Sequence, residues 1–192
     1  MEHFHTPILS ARLTIRPFRV EDAADLYEYL SDPQTYIFEP GAPITQLQAA
    51  TVAADMANSP DFWAVEVTAT GKQIGQVYLK HVAPLELLTS ELGYIFNPAY
   101  QRQGFASEAA AAVVAHAFTV CGMHRIYAHC NPNNVASWRL LERIGFHREG
   151  VLRQNIFFRR DAAGAPCWTD TCVYARLAAD GDDLLTIPGS SV

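Results

Sequence analysis

Glu91-Leu92-Gly93-Tyr94-Ile95-Phe96-Asn97-Pro98-Ala99-Tyr100-Gln101-Arg102-Gln103-Gly104-Phe105-Ala106-Ser107-Glu108 reads as a strand that runs into a loop and opens directly onto a long, alanine-rich helix. That order predicts a phosphate cradle, because the first four N–H groups of a helix have no intrahelical partner and the macrodipole adds a partial positive charge there. Within Gln101, Arg102, Gln103, Gly104, Phe105, Ala106 and Ser107, the glycine permits close backbone approach. Ala106 and Ser107 keep the mouth small. A diphosphate is the anion such a loop suits.

Outward from this stretch, period and punctuation lay out the remaining elements. Leu13, Ile15 and Phe18 predict a first strand, and Leu26, Tyr27 and Leu30 share one face of a first helix. Thr45 with Gln48 three residues on is a capping-box pattern for a second helix running to about Ala57. Phe62 to Thr68 and Gln73 to Lys80 read as a hairpin around Thr70-Gly71, and Glu91 to Phe96 is a fourth strand that Pro98 brings to an end. A third helix runs from Gly104 to about Cys121. A fifth strand covers Arg125 to Asn131 and a fourth helix Asn134 to Ile144, ahead of a long hairpin with arms Phe146 to Arg159 and Trp168 to Leu177. Strands and helices are mixed, so the fold class is α/β or α+β with one central sheet.

Composition bounds the partners. With 192 residues and 49% hydrophobic content the chain can bury a full core, and a single domain over residues 1–180 with a loose tail at 181–192 is expected. The net charge of −6 provides no basic stripe for nucleic acid and suits a cationic substrate such as an amine. Cys121, Cys130, Cys167 and Cys172 lack C-X-X-C spacing, so neither a zinc site nor a redox pair is indicated, and buried thiols in a reducing compartment are expected. His3 and His5 read as part of a disordered tail, and the other histidines show no ligand spacing. No metal, no membrane contact and a cytoplasmic location are expected.

The loop pattern Gln-X-X-Gly-X-Ala, followed by Asn131-Pro132-Asn133-Asn134-Val135-Ala136-Ser137 and then Leu141-Glu142-Arg143-Ile144-Gly145-Phe146, resembles the GNAT N-acetyltransferase superfamily. Within it the chain looks most like the branch that acetylates ribosomal-protein N-termini, with Leu13 to Pro17, Ile74-Gly75, Glu149 to Arg153 and Tyr174 to Leu177 as supporting segments. The resemblance covers about residues 10 to 178 in order. It implies a mostly antiparallel sheet of about seven strands, flanked by about four helices and splayed between the fourth and fifth strands, where a pantetheine arm can satisfy unpaired backbone groups. Acetyl-CoA is the implied cosubstrate and a primary amine the acceptor, attacking directly without an acyl-enzyme. Gln101 to Ser107 would hold the diphosphate, Asn131 and Asn134 the pantetheine, and the backbone near Ile95 and Phe96 would polarise the thioester carbonyl. A monomer or homodimer is implied.

Two catalytic roles follow from the same likeness. Ser137 would protonate the leaving thiolate, with Tyr94, Tyr127 and Tyr174 as rival donors, while Asn134 also reads as an ordinary helix N-cap. Glu91 shares a strand face with Gly93 and Ile95 and is the candidate base, with Glu39 in reserve. The run Leu152 to Phe158, where the ribosomal-protein branch offers another acid, contains no Asp or Glu. An α-amine, with a pKa of about 7.7 to 8.0 against about 10.4 for lysine, costs about 3 to 4 kcal/mol less to deprotonate and so needs a less strongly tuned base. A protein or peptide N-terminus is therefore the expected acceptor. A small-molecule amine (antibiotic, polyamine or amino acid), another acyl group, and an acyl-CoA sensor without turnover are the alternatives.

Overall fold

A computed structural model describes residues 6–181. The stretch around Glu91 to Glu108 forms β5 (Thr89–Phe96), a short 3-10 turn (Pro98–Tyr100) and the start of α3 (Phe105–Thr119). Around it lie β1 (Ile8–Leu9), β2 (Leu13–Pro17), α1 (Ala23–Leu30), α2 (Gln46–Ala57), β3 (Phe62–Val67) and β4 (Lys72–His81). After α3 come β6 (Arg125–Cys130), α4 (Val135–Arg143), β7 (His147–Ile156) and β8 (Thr169–Leu177). The residues of the expected tail beyond 181, and His3 and His5, lie outside the described residues.

The strands form one sheet in the order β1-β2-β3-β4-β5-β6-β8-β7. Eight strands rather than about seven result, because the two-residue β1 pairs with β2 through Ile8 and Leu9, too short a run for alternation to reveal. Every pairing is antiparallel except β5 with β6, and α3 supplies the crossover that a parallel pair requires. The β7–β8 hairpin is shorter than the sequence suggests. Its first arm stops at Ile156 after a register shift beyond Leu152, where Gln154 takes a positive φ of 46°.

Apolar alternation places the core on both faces. Trp63 and Val65 of β3 belong to a cluster with Ala109, Val113 and Ala117 of α3, whereas Ala64 between them packs with Leu26, Tyr29 and Leu30 of α1 and Ala49 of α2. The alanines of α3 combine high helix propensity with small volume, which lets the helix approach the sheet closely. Burying each Leu, Ile or Val of this core is worth about 1.5–3 kcal/mol. The Thr45 capping box forms as predicted: its Oγ1 accepts from Gln48 N–H at 3.3 Å, and Gln48 Oε1 accepts from Thr45 N–H at 2.8 Å.

One feature of the sheet positions the site. The β5–β6 ladder consists of three rungs, Thr89↔Arg125, Ser90↔Ile126 and Glu91↔Tyr127. Beyond Glu91 the two strands diverge, although β5 stays paired with β4 as far as Phe96 and β6 with β8 as far as Cys130. The sheet is therefore splayed at the expected place, with one edge of Leu92 to Phe96 free of a strand partner.

Candidate active site

The splay opens into a groove of about 520 Å³. Its walls come from four places: Tyr94, Ile95 and Phe96 of β5; the loop and first turn of α3, with Gln101, Arg102, Gly104, Phe105, Ala106 and Ser107; α4 with Asn134, Ser137, Arg139 and Arg143; and the segment after α1, with Ile37, Phe38 and Glu39. Twelve of the residues singled out from the sequence thus meet in one place, Glu39 and Tyr94 among them. Gln103 and Asn131 do not line the groove. Gln103 offers its carbonyl to Arg12 Nη1 at 3.0 Å, and Asn131 Oδ1 accepts from Asn133 N–H at 2.9 Å, shaping the turn ahead of α4.

At the α3 end the chemistry suits an anion. Gly104, with φ 82°, is the N-cap residue and provides no side-chain acceptor, so the first-turn N–H groups of a 15-residue helix have no side-chain cap. Arg102 holds a positive φ of 61° in the same loop. Three guanidinium groups, those of Arg102, Arg139 and Arg143, line the groove, and Arg143 Nη1 donates to Ser107 Oγ of the first turn at 3.0 Å. Arg12 braces the loop from behind: it pairs with Glu108 at 2.7 Å and stacks 4.4 Å above the Phe105 ring. These donors fit a diphosphate. Ala136, Arg139, Leu140 and Arg143 recur at helical spacing, so a helical wheel counted from Asn134 is the signal that would have put the two arginines in the groove.

On the wall of the groove two hydroxyls meet. Tyr94 reaches from β5 across the gap to α4, where its hydroxyl lies 3.0 Å from Ser137 Oγ and donates to Ser137 O at 3.1 Å. Burial pushes the Tyr94 phenol well above its ordinary range, against the opposing effect of the Ser137 hydrogen bond. Of the three tyrosines considered, Tyr94 is the one beside Ser137. Tyr127 is the rung opposite Glu91, and Tyr174 donates to Glu142 Oε1 at 3.1 Å. Asn134 Oδ1 accepts from Ser137 N–H at 3.2 Å, so the N-cap reading of this asparagine describes its bond, and its place in the groove is additional to that.

The acidic candidates separate cleanly. β5 begins at Thr89, two residues earlier than the sequence suggests, and Glu91 is the last rung of the parallel ladder and is not among the residues lining the groove. Its Oε1 is 3.3 Å from His129 Nδ1. Glu39, in contrast, is the carboxylate that lines the groove, and burial pushes its pKa up to about 7. Among the described residues no group of three or more His, Cys, Asp or Glu is placed to hold a metal, and no helix is long and apolar enough to cross a membrane.

The profile of a family described as "Acetyltransferase (GNAT) domain" matches residues 12–147. The chain belongs to the GNAT acetyltransferase family. An uncharacterised N-acetyltransferase of Bacillus subtilis, YnaD, is 34% identical over 88% of this chain and 96% of its own length. A solved GNAT-family acetyltransferase from Bacillus anthracis superposes with a TM-score of 0.82 at 30% identity, covering 91% of this chain and 99% of that one. The ribosomal-protein-serine acetyltransferase of Escherichia coli is 32% identical over 54% of each chain. This GNAT protein is accordingly an acyl-CoA N-acyltransferase. The arginines and uncapped helix N-terminus of its groove, the splayed strands and the paired hydroxyls are parts suited to that chemistry.

Proposed function

We propose that the protein transfers acetyl from acetyl-CoA to the α-amine at the N-terminus of a peptide or protein. The observation that carries this reading is the polarity of the groove. Three arginines, an uncapped helix N-terminus and the Glu39 carboxyl all line it, and the Tyr94–Ser137 hydroxyl pair stands on its wall. Such a groove fits an anionic donor entering from one side and an ammonium from the other. Ile37, on the acceptor side, is 52% exposed, so this end is open to solvent, as a chain terminus requires. The likeness to a ribosomal-protein-serine acetyltransferase supports the same acceptor class.

Acetyl-CoA, when bound, supplies a thioester carbonyl open to attack by an amine. The chain's own residues supply placement: the α3 N-terminus with Arg102, Arg139 and Arg143 would hold the diphosphate, and the open edge of β5 at Ile95 and Phe96 would take the pantetheine and polarise the carbonyl. Ser137 Oγ, 3.0 Å from Tyr94 Oη, holds a proton where sulfur leaves. Positioning of this kind contributes several kcal/mol without further chemistry.

Thiol release from acetyl-CoA tests the proposal, with short peptides beginning in Ser or Ala set beside polyamines and aminoglycosides. Release that depends on a peptide is the expected outcome. Release with small amines alone would replace the acceptor, and tight binding with no turnover on any amine would point to a sensor. The exposed Cys167 sets the thiol background, so the C167S variant is the cleaner assay protein.

A further inference from the structure

We propose that Glu39 is the base that takes the proton from the acceptor's ammonium. Three observations converge on it. First, the turn that leads to it, residues 32–36, is fixed: Asp32 Oδ1 accepts from Gln34 N–H at 2.8 Å, Thr35 Oγ1 donates to Tyr29 O at 2.6 Å, and Tyr36 Oη donates to Leu30 O at 2.9 Å. From the far side Arg159 Nη2 donates to Tyr36 O at 2.6 Å, tying the β7–β8 hairpin to the same segment. A base must be held in place by its surroundings, and the turn just ahead of Glu39 is held to α1 on one side and to the β7–β8 connection on the other.

Second, the other carboxylates nearby are engaged. Asp22 and Glu66 pair with Arg16, Asp25 and Glu28 with Lys72, Glu108 with Arg12, and Glu91 lies against His129. Glu39 makes no hydrogen bond or ion pair with any described residue, which leaves both oxygens for a ligand. Third, its electrostatic surroundings match the task. The titratable and charged groups that share the groove with it are Tyr94 of β5, Tyr100 and Arg102 of the loop, and Arg139 and Arg143 of α4. None of them bonds to Glu39, and desolvation is what raises its proton affinity. A base poised near neutral pH is the effective one for an amine titrating just above it.

The proton account closes. The ammonium gives one proton to Glu39, the freed lone pair forms the C–N bond, and the C–S bond breaks. The nitrogen loses a second proton as the amide forms. One of the two reaches solvent through Glu39, and the other restores the proton that the Ser137–Tyr94 pair donates to sulfur. This assignment rests on the family's N-acyl transfer and not on which amine is the acceptor.

The test uses E39Q, with E91Q as comparison. The Glu39 carboxyl, followed by carbon NMR in protein labelled at glutamate and without any acceptor, should titrate near pH 7, with that signal missing from E39Q. With whichever amine the thiol assay identifies, E39Q should lower kcat/KM about 100-fold or more and abolish its limb near pH 7, while the acetyl-CoA Kd by calorimetry stays unchanged. Titration in the ordinary carboxylate range, about 4.3, would overturn the assignment. So would an E39Q enzyme that keeps its rate while E91Q loses it, or one whose rate loss merely follows lost acetyl-CoA affinity. Because the titration needs no acceptor, it stands even if no peptide is acetylated.

Discussion

Desolvation raises the proton affinity of Glu39, with no neighbouring charge contributing to the shift. That has a consequence for stability. The folded protein holds the proton up to about pH 7, whereas the unfolded chain releases it near the ordinary value of about 4.3. The folded state therefore binds more protons between those limits, and stability from this group is present below the unfolded pKa and lost as pH rises through the folded one. E39Q removes the penalty, so the difference in Tm between E39Q and the parent should widen from pH 4 to pH 8 in favour of the variant, as read by thermal denaturation across that range. An even offset at all pH values would show that no buried carboxylate is being ionised. At the same scale, Cys130 and Cys172 are register partners across β6 and β8, and burial, with Cys172 adding to it, pushes the Cys130 thiol up to about 12. Sequence spacing gives no hint of that neighbour pair.

The decisive element is the turn from β5 into α3. Its donors converge because the backbone enters the left-handed region at Arg102 and Gly104, a conformation in which glycine carries no steric penalty. A Cβ at Gly104 would be strained there and would sit 3.3 Å from Arg12 Nη2. Gly104→Val should weaken acetyl-CoA binding by about tenfold or more, in line with the loss of a well-oriented hydrogen bond to a charged group at about 1.5–3 kcal/mol. Calorimetry reads this directly, and an unchanged Kd would remove the loop from the binding account. The neighbouring strands show a related constraint: a Cβ at Gly75 would lie 2.6 Å from Phe96 Cδ1 and 2.7 Å from Ile95 O, so β4 approaches the site-forming end of β5 as closely as only glycine allows.

Over the whole molecule, the splayed sheet is held open by what packs around it. Helices α1 and α2 share one cluster with Phe18 and Ala64, and α3 and α4 share the other with the opposite face of β3 and β4. The start of α1 is anchored to the sheet by a buried ionic knot in which Arg16 of β2 makes a bidentate contact with Asp22 at 2.9 and 2.8 Å and bonds Glu66 of β3 at 2.9 Å. Breaking a buried pair strands the remaining charge, so Arg16→Ala should cost about 3–5 kcal/mol, measured by chemical denaturation. A loss under about 1 kcal/mol, the worth of an exposed pair, would mean that water reaches Asp22 in the variant.

What the sequence by itself determined is the set of local structures and the cradle: alternation and capping locate the strands and helices to within a few residues, and Gly104 at a strand-to-helix turn predicts the anion end, because each of these depends on neighbours close in the chain. The partnerships across the groove depend on contacts between distant segments, and only the tertiary structure decided them. Tyr94 and Ser137 are 43 residues apart and meet because the β5–β6 ladder ends after three rungs. Glu91 falls on the last rung of the β5–β6 ladder rather than on the free edge beyond it, a register that the sequence around it does not reveal. Glu39, one acid among many in the sequence, is distinguished by its place in the groove wall, half-buried and without an ion pair among the described residues, which no local pattern in the sequence reveals.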